Sequence, residues 1–286
     1  MLTVQRTMGM RPEGTARVFE HLKEVGYGGA DYHIPGSQPG TGIYAMSEKE
    51  FLAYIHRDLE AAKAVGIPVC QAHGPWPYDD RTPEMRDLKF HATVRALHAA
   101  AIMGSPYLVI HPTLPEGWLM SPSAHHEEHK ADNIAFLRSM IPYAKDFGIK
   151  IALENMPNPY LACGHVSELV ECIDAIDSEY VVACLDTGHC TCIGDDAGEM
   201  VRLLDNRLAC LHVHDNDGMR DAHFLPYFGV MNWGSFIEGL RAVKYRGNIT
   251  LENDMPTNMP ANLYRELEEW LVRLAQSIAD AVMQES

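Results

Sequence analysis

The chain is poor in cations. Twenty-three Lys and Arg stand against 39 Asp and Glu in 286 residues, a formal net charge of −16. No cluster of Lys and Arg offsets this deficit. A chain this acidic repels a polyanion, so nucleic acid is not the expected partner. No apolar run is long enough to span a bilayer, which argues against a membrane protein. The first residues, Met1-Leu2-Thr3-Val4-Gln5-Arg6, lack the layout of a secretory signal, and a cytoplasmic location is expected. Cysteine is sparse and odd in number: Cys70, Cys163, Cys172, Cys184, Cys190, Cys192 and Cys210 are scattered, partly inside apolar runs. Reduced thiols are the expectation. Cys190-Thr191-Cys192 lacks the two-residue gap of a zinc knuckle and reads as structural. Internal repeats, low-complexity tracts and linkers are missing as well, so residues 1–286 are expected to form one domain.

What is present is alternation. Hydrophobic residues make up 47% and charged residues 22%, values typical of a globular protein able to bury a large core. Short apolar runs at 2–5, 30–34, 69–72, 107–110, 150–153, 180–185, 208–211 and 248–251 read as buried strands. Amphipathic segments at 11–25, 47–65, 84–103, 125–147, 167–176, 197–204, 233–243 and 262–283 read as helices. Ser47 with Glu50 forms a capping box, and Gly66, Gly104 and Gly148 close three helices. Strand–helix alternation implies right-handed crossovers and a parallel sheet. Eight such units in about 250 residues predict an α/β fold, a single-domain (β/α)8 TIM barrel. An open doubly wound sheet is disfavoured, because no Gly-rich phosphate turn follows the first strand.

In a barrel, all C-terminal strand ends face one rim. The apolar run 180–185 ends in Asp186, Thr187-Gly188 turns the chain, and His189 follows at i+3. An acid and an imidazole so spaced can point into one cavity, although Asp186 could equally cap the next helix. The other strand ends repeat the pattern with His73, His111, Glu154, His212 and Glu252. Unpaired carboxylates are rarely buried, so Glu154, Asp186, His212 and Glu252 are read as ligands of one cation. His73 and His111 are read first as neutral imidazoles bonding substrate or core water. His214 reads as a packed histidine or a support to the ligands, and His33 as a loop residue. His125, His126 and His129 read as solvated. Trp76, Trp118 and Trp233 fall near rim loops as candidate apolar walls, Trp233 more readily as loop packing.

Four pieces, Leu153-Glu154-Asn155, Leu185-Asp186-Thr187-Gly188-His189, Leu211-His212-Val213-His214-Asp215 and Leu251-Glu252-Asn253, resemble the xylose isomerase-like barrels. Asp221-Ala222-His223 followed by Gly229 and Asn232-Trp233 resembles that group's Asp-x-His loop. The group includes sugar isomerases, ketose 3-epimerases, inosose dehydratases and, more distantly, endonuclease IV. The resemblance spans the barrel and is specific for the superfamily, not for one activity. It implies a divalent metal held by Glu154, Asp186, His212 and Glu252, manganese first, with magnesium, cobalt or zinc as alternatives. It implies that Glu154 and Glu252 are catalytic, one removing a proton beside a carbonyl and the other returning one through a metal-stabilised enediolate. His189 would contact substrate oxygens. Endonuclease IV fills further positions, which here match His73, His111, His189, Asp221 and His223, so these are candidates for substrate binding or a second metal.

The expected activity is thus a metal-dependent isomerase or epimerase of a small sugar or polyol-derived hydroxy-carbonyl compound. The alternative is a multi-metal zinc phosphodiesterase. A barrel that only binds a ligand is disfavoured, because all four core positions are kept. A homodimer or homotetramer is expected by analogy, with apolar residues of the 118–122 loop as a candidate contact.

Overall fold

A computed structural model describes the chain except residues 8–14, 36–39, 77–81, 114–118, 257 and 285–286. Eight strands alternate with helices: β1 (Thr3–Arg6), α1 (Thr15–Val25), β2 (Gly29–His33), α2 (Glu48–Val65), β3 (Val69–His73), α3 (Pro83–Met103), β4 (Tyr107–Ile110) and α4 (His126–Phe147). Then follow β5 (Lys150–Glu154), α5 (Val166–Ile176), β6 (Val181–Asp186), α6 (Thr187–Cys192), α7 (Ala197–Leu204), β7 (Leu208–His212), α8 (Trp233–Ala242), β8 (Ile249–Leu251) and α9 (Ala261–Met283). The strands are parallel in the order β7-β6-β5-β4-β3-β2-β1-β8. A bridge between Val213 and Leu251 closes the ring. There Val213 N–H donates to Thr250 O at 2.8 Å and Glu252 N–H to Val213 O at 3.1 Å. The fold is a (β/α)8 TIM barrel.

The period of two along each strand sorts the side chains into two cores. Outward residues such as Leu108, Ile151, Leu153, Leu185, Leu211 and Leu251 pack with Phe51, Ile55, Leu97, Leu137, Met140, Phe236 and Leu271 of the helices in one large cluster. Each such side chain contributes about 1.5–3 kcal/mol by leaving water. Inward, a small second cluster of Val109, Ala152, Cys184 and Cys210 fills the barrel floor. Two residues further along these strands stand His111, Glu154, Asp186 and His212. The same step leads from Gln71 to His73 and from Thr250 to Glu252. Small neutral side chains below therefore support a layer of ligand-type side chains above.

Local signals work as the residues dictate. The Ser47 hydroxyl and the Glu50 carboxylate cap α2 reciprocally, worth about 1 kcal/mol. Gly66, Gly104 and Gly148 each end a helix with positive φ (70°, 74° and 69°). Two expectations change. The turn after Asp186 is the short helix α6, and Cys163 is joined to Cys172 by a disulfide nine residues apart. That pair forms because the loop after β5 folds back on α5, a tertiary event invisible to cysteine counting. The remaining five cysteines are free thiols. Among the described residues, no helix is long and apolar enough to cross a membrane.

Candidate active site

Four strand ends deliver acidic and imidazole groups to one point on the C-terminal rim. Glu154 ends β5, Asp186 ends β6, His212 ends β7, and Glu252 follows β8 directly. One ligand atom from each lies within 4.8 Å of the others. His212 Nδ1 stands 2.7 Å from a Glu154 oxygen and 3.2 Å from a Glu252 oxygen. Asp186 serves two purposes. Its Oδ1 accepts the His189 backbone N–H at 2.7 Å and so caps α6, while the carboxylate remains part of the rim cluster. The three carboxylates of this set are 1%, 0% and 6% exposed. Like charges so close and so dry call for compensating positive charge, from protonated imidazole or a metal ion.

The histidines around this set are fixed in a telling orientation. The Nδ1 of His73 faces Gly74 O (3.0 Å), that of His189 faces Asn155 O (2.7 Å), and that of His223 faces Glu252 O (2.7 Å). A carbonyl only accepts, so each Nδ1 carries the hydrogen and each neutral ring keeps a lone pair on Nε2. Those Nε2 atoms point at carboxylate oxygens. His73 faces Glu154 at 3.4 Å, His189 faces Asp221 at 3.3 Å, and His223 faces the same Asp221 oxygen at 3.2 Å. His111 Nε2 lies 3.0 Å from Glu154 Oε2. Lone pair against carboxylate is repulsive unless a proton or a metal ion sits between them. The side chains form overlapping groups of metal-ligand type: His73–Glu154–His212, Asp186–His189–His214 and His214–Asp221–His223.

In the metal-free protein, protons take that place. Burial alone would raise the Glu154 carboxyl, but the imidazoles of His212 and His111 hold it well below the usual range. Burial likewise opposes, and His189 and His214 override it, to lower Asp186 to about 2. His189 is pushed up to about 10 by Asp186 and Asp221 against its own burial. His223 rises to about 9, again against burial, beside Asp221 and Glu252. For His111 burial prevails and its pKa falls.

The donor set fits a divalent cation. Glu154 Oε2 and Asp221 Oδ1 are buried and make no hydrogen bond among the described residues. Carboxylates with imidazole suit manganese, magnesium, cobalt or zinc.

His214 is the packed, supporting histidine that was expected. Residues i and i+2 of a strand share a face, so His212 and His214 both point inward. His214 Nε2 reaches Asp186 at 3.0 Å, and its ring stacks on His223 at 4.2 Å between centroids. His33, by contrast, is no loop residue. It ends β2, stacks on His73 at 4.6 Å, and brings Nε2 to 3.7 Å from Glu252.

Sequence reasoning passed over three further residues. Arg6 ends β1, is 6% exposed, and approaches Glu252 to 3.6 Å. Asn155 braces Asp186, accepting its N–H at 2.8 Å and donating to its carbonyl at 3.1 Å. Asp31 lies on the floor beneath His212. The signal for Asp31 was parity, since Asp31 and His33 alternate with Ala30 and Tyr32; Arg6 is the charged last residue of the first strand.

The rim loops are built from the same materials. Asp215 accepts from the N–H groups of Asn216 and Met231 and from Trp233 Nε1, which makes Trp233 a packing residue. Gly229 is required there, since a Cβ would stand 2.1 Å from Asn216 O. Trp76 is 45% exposed and meets His111 edge-on at 4.8 Å. Trp118 lies outside the described residues. His125 and His126 stay apart from the site and pair with Glu128 and Glu168.

Comparison with known proteins agrees with this architecture. An uncharacterised protein of Methanocaldococcus jannaschii is 32% identical over 186 residues, 62% of this chain and 62% of that relative. The crystal structure of apo 3-keto-D-glucoside 4-epimerase from E. coli superposes with a TM-score of 0.74 at 22% identity, covering 95% of this chain and 98% of that one. The IolI protein with a bound zinc atom superposes with a TM-score of 0.74 at 16% identity, covering 99% and 98%. The family model for the xylose isomerase-like TIM barrel matches residues 19–274. The chain therefore belongs to the xylose isomerase-like TIM barrel family.

Proposed function

We propose that this protein is a divalent-metal-dependent isomerase or epimerase of a small sugar or related hydroxy-carbonyl compound. The observation that carries the reading is the pair Glu154 and Glu252. They come from strands β5 and β8 and converge with Asp186 and His212 on one point. The epimerase and the zinc-bearing protein that share this fold are consistent with it.

Glu154, Asp186, His212 and Glu252 would hold the cation, manganese first. When bound, it polarises substrate oxygens and so acidifies the adjacent C–H. The chain supplies the rest. Glu154, kept ionised by its imidazole neighbours, is competent to accept a proton. Glu252, backed by Arg6 at 3.6 Å, is placed to exchange a proton from the other strand. A change of configuration needs an acid and a base on two faces, and Glu154 and Glu252 are the pair we assign to these roles. His189 and His223, anchored through Nδ1, can bind substrate oxygens with Nε2.

The test is the metal-loaded protein offered a panel of ketoses and inososes in heavy water. Deuterium appearing at the carbon beside the carbonyl is the expected result. No incorporation into any candidate with Mn, Mg or Co would overturn the reading.

A second reading has its own observation. Asp221, flanked by His189 and His223 Nε2, with His214 beside it, would suit a second cation and hence a zinc phosphodiesterase. The net charge of −16 opposes a nucleic-acid substrate. Cleavage of abasic-site DNA by the zinc-loaded protein would decide for it.

A further inference from the structure

Among the described residues, Asp31 is the one carboxylate on the barrel floor whose role the mechanism above leaves open. It lies on the inner face of β2, is 0% exposed, and shares the floor with neutral side chains such as Cys184 and Cys210. A carboxylate there is costly unless something uses it. Its Oδ2 stands 3.2 Å from His212 Nε2 and 3.4 Å from Gln71 Nε2. Its Oδ1 makes no hydrogen bond among the described residues. Gln71 is itself held, its carbonyl accepting from the Thr250 hydroxyl at 3.1 Å.

We propose that Asp31 is a positioning residue: it accepts the Nε2 proton of His212 and so turns an unprotonated Nδ1 toward the cation between Glu154 and Glu252. The inference rests on reading His212 as a ligand. An imidazole ligates only through an unprotonated nitrogen, so of the two neutral tautomers only the Nε2–H form serves here. His212 left to itself would adopt the other one. Its Nδ1 is 2.7 Å from one carboxylate oxygen and 3.2 Å from another, both of which favour a proton on that nitrogen. A competing acceptor at Nε2 is needed to tip the choice.

Rim histidines obtain that acceptor from backbone carbonyls, as His73, His189 and His223 do. His212 lies within β7, where strand carbonyls are engaged in the ladder. Its orienting acceptor must therefore be a side chain. A carboxylate acts more strongly than an amide, and it also raises the donor strength of the ligating nitrogen.

The experiment compares metal-stripped wild type, Asp31→Asn, His212→Gln and the double variant, titrated with zinc alone in a calorimeter. Histidine-labelled protein is examined in parallel by long-range 1H–15N NMR, the His212 signals being assigned by their loss in His212→Gln. Asp31→Asn is nearly isosteric, so the metal-stripped variant should remain folded, which thermal unfolding in EDTA checks. Its zinc affinity should drop about 10–100-fold. Read at a pH where the metal-stripped ring is neutral, its His212 nitrogen shifts should move away from the wild-type Nε2–H pattern. The double variant should lose no more affinity than His212→Gln. Wild-type zinc affinity and unchanged His212 shifts in Asp31→Asn would overturn the proposal while leaving the ligand reading intact. Wild-type affinity in His212→Gln would instead remove the ligand reading and this inference with it. If Asp31→Asn folds poorly, the His212→Gln background decides. A further loss in the double variant marks a structural role and overturns the proposal, and no further loss supports it.

Discussion

Gly188→Ala perturbs the site at one atom without touching a ligand. A Cβ built on Gly188 would lie 1.9 Å from Cε1 and 2.4 Å from Nδ1 of His214. Ordinary contact begins near 3.4 Å, so the ring must retreat by about 1.5 Å or α6 must rise by as much. The ring is buried and stacked on His223 at 4.2 Å, so it has little room to retreat. A shift of that size breaks the 3.0 Å contact between His214 Nε2 and Asp186. Overpacking costs about 1–3 kcal/mol, and a buried polar group left unpaired about 1–3 kcal/mol more. The expected destabilisation is about 2–4 kcal/mol, because the two effects share one displacement and do not add fully. Asp186 loses a brace, so metal affinity should fall about 10–100-fold. Urea unfolding of the metal-stripped protein measures the first effect, and calorimetric titration with zinc the second. A variant as stable as wild type, with unchanged zinc affinity, would refute the steric argument.

Three further outcomes are expected. Glu154→Gln and Glu252→Gln should lower turnover by about 10²–10⁴-fold even at saturating manganese, whereas Asp186→Asn should lower metal affinity and activity together; full recovery of the Gln variants with excess manganese would eliminate proton transfer by either glutamate. In the metal-free protein, His189 and His223 are raised to about 10 and about 9, so their pairing stabilises the fold fully below about pH 6.5 and is lost as pH rises through 9 to 10. A second cation at their Nε2 atoms must displace those protons, so its binding at pH 7 should release protons and tighten with pH. Calorimetry in two buffers of different ionisation enthalpy counts them, and no release on filling a second site would contradict a cation beside Asp221. Between α1 and α9, His21 donates toward buried Glu268 at 2.9 Å, and that hydrogen bond raises the His21 pKa. This contribution is present below about pH 6.5 and lost above the raised pKa. With His21 38% exposed it is worth under about 1 kcal/mol, visible as a wild-type-minus-His21→Gln difference in urea midpoint at pH 6 that vanishes at pH 9.

The architecture was legible because its causes are local. Apolar runs, capping residues and closing glycines set strand and helix one after another, and alternation of the two leaves a parallel barrel as the economical closure. That Glu154, Asp186, His212 and Glu252 gather on one rim was legible for a related reason. A charged residue that ends an apolar strand must surface on the rim, whatever the remainder of the chain does. Boundary errors fell where that logic was weakest. The strands at Arg6, Asp186 and His212 run one residue further than their apolar stretch, because the functional residue is itself the last paired residue.

What the sequence determined, then, was which residue types reach the rim and in what order. What only the tertiary structure decided was who faces whom. Asp31 and His212 are 181 residues apart and meet across the barrel floor. Arg6 reaches Glu252 only because β1 pairs with β8 to close the ring. The tautomers of His73, His189 and His223 depend on carbonyls of Gly74, Asn155 and Glu252, two of them far away in sequence. The disulfide between Cys163 and Cys172 and the fit of His214 over Gly188 arise in the same way. Periodicity and capping are properties of neighbours along the chain, whereas a charge finds its partner through space, and the partner exists only once the barrel has closed.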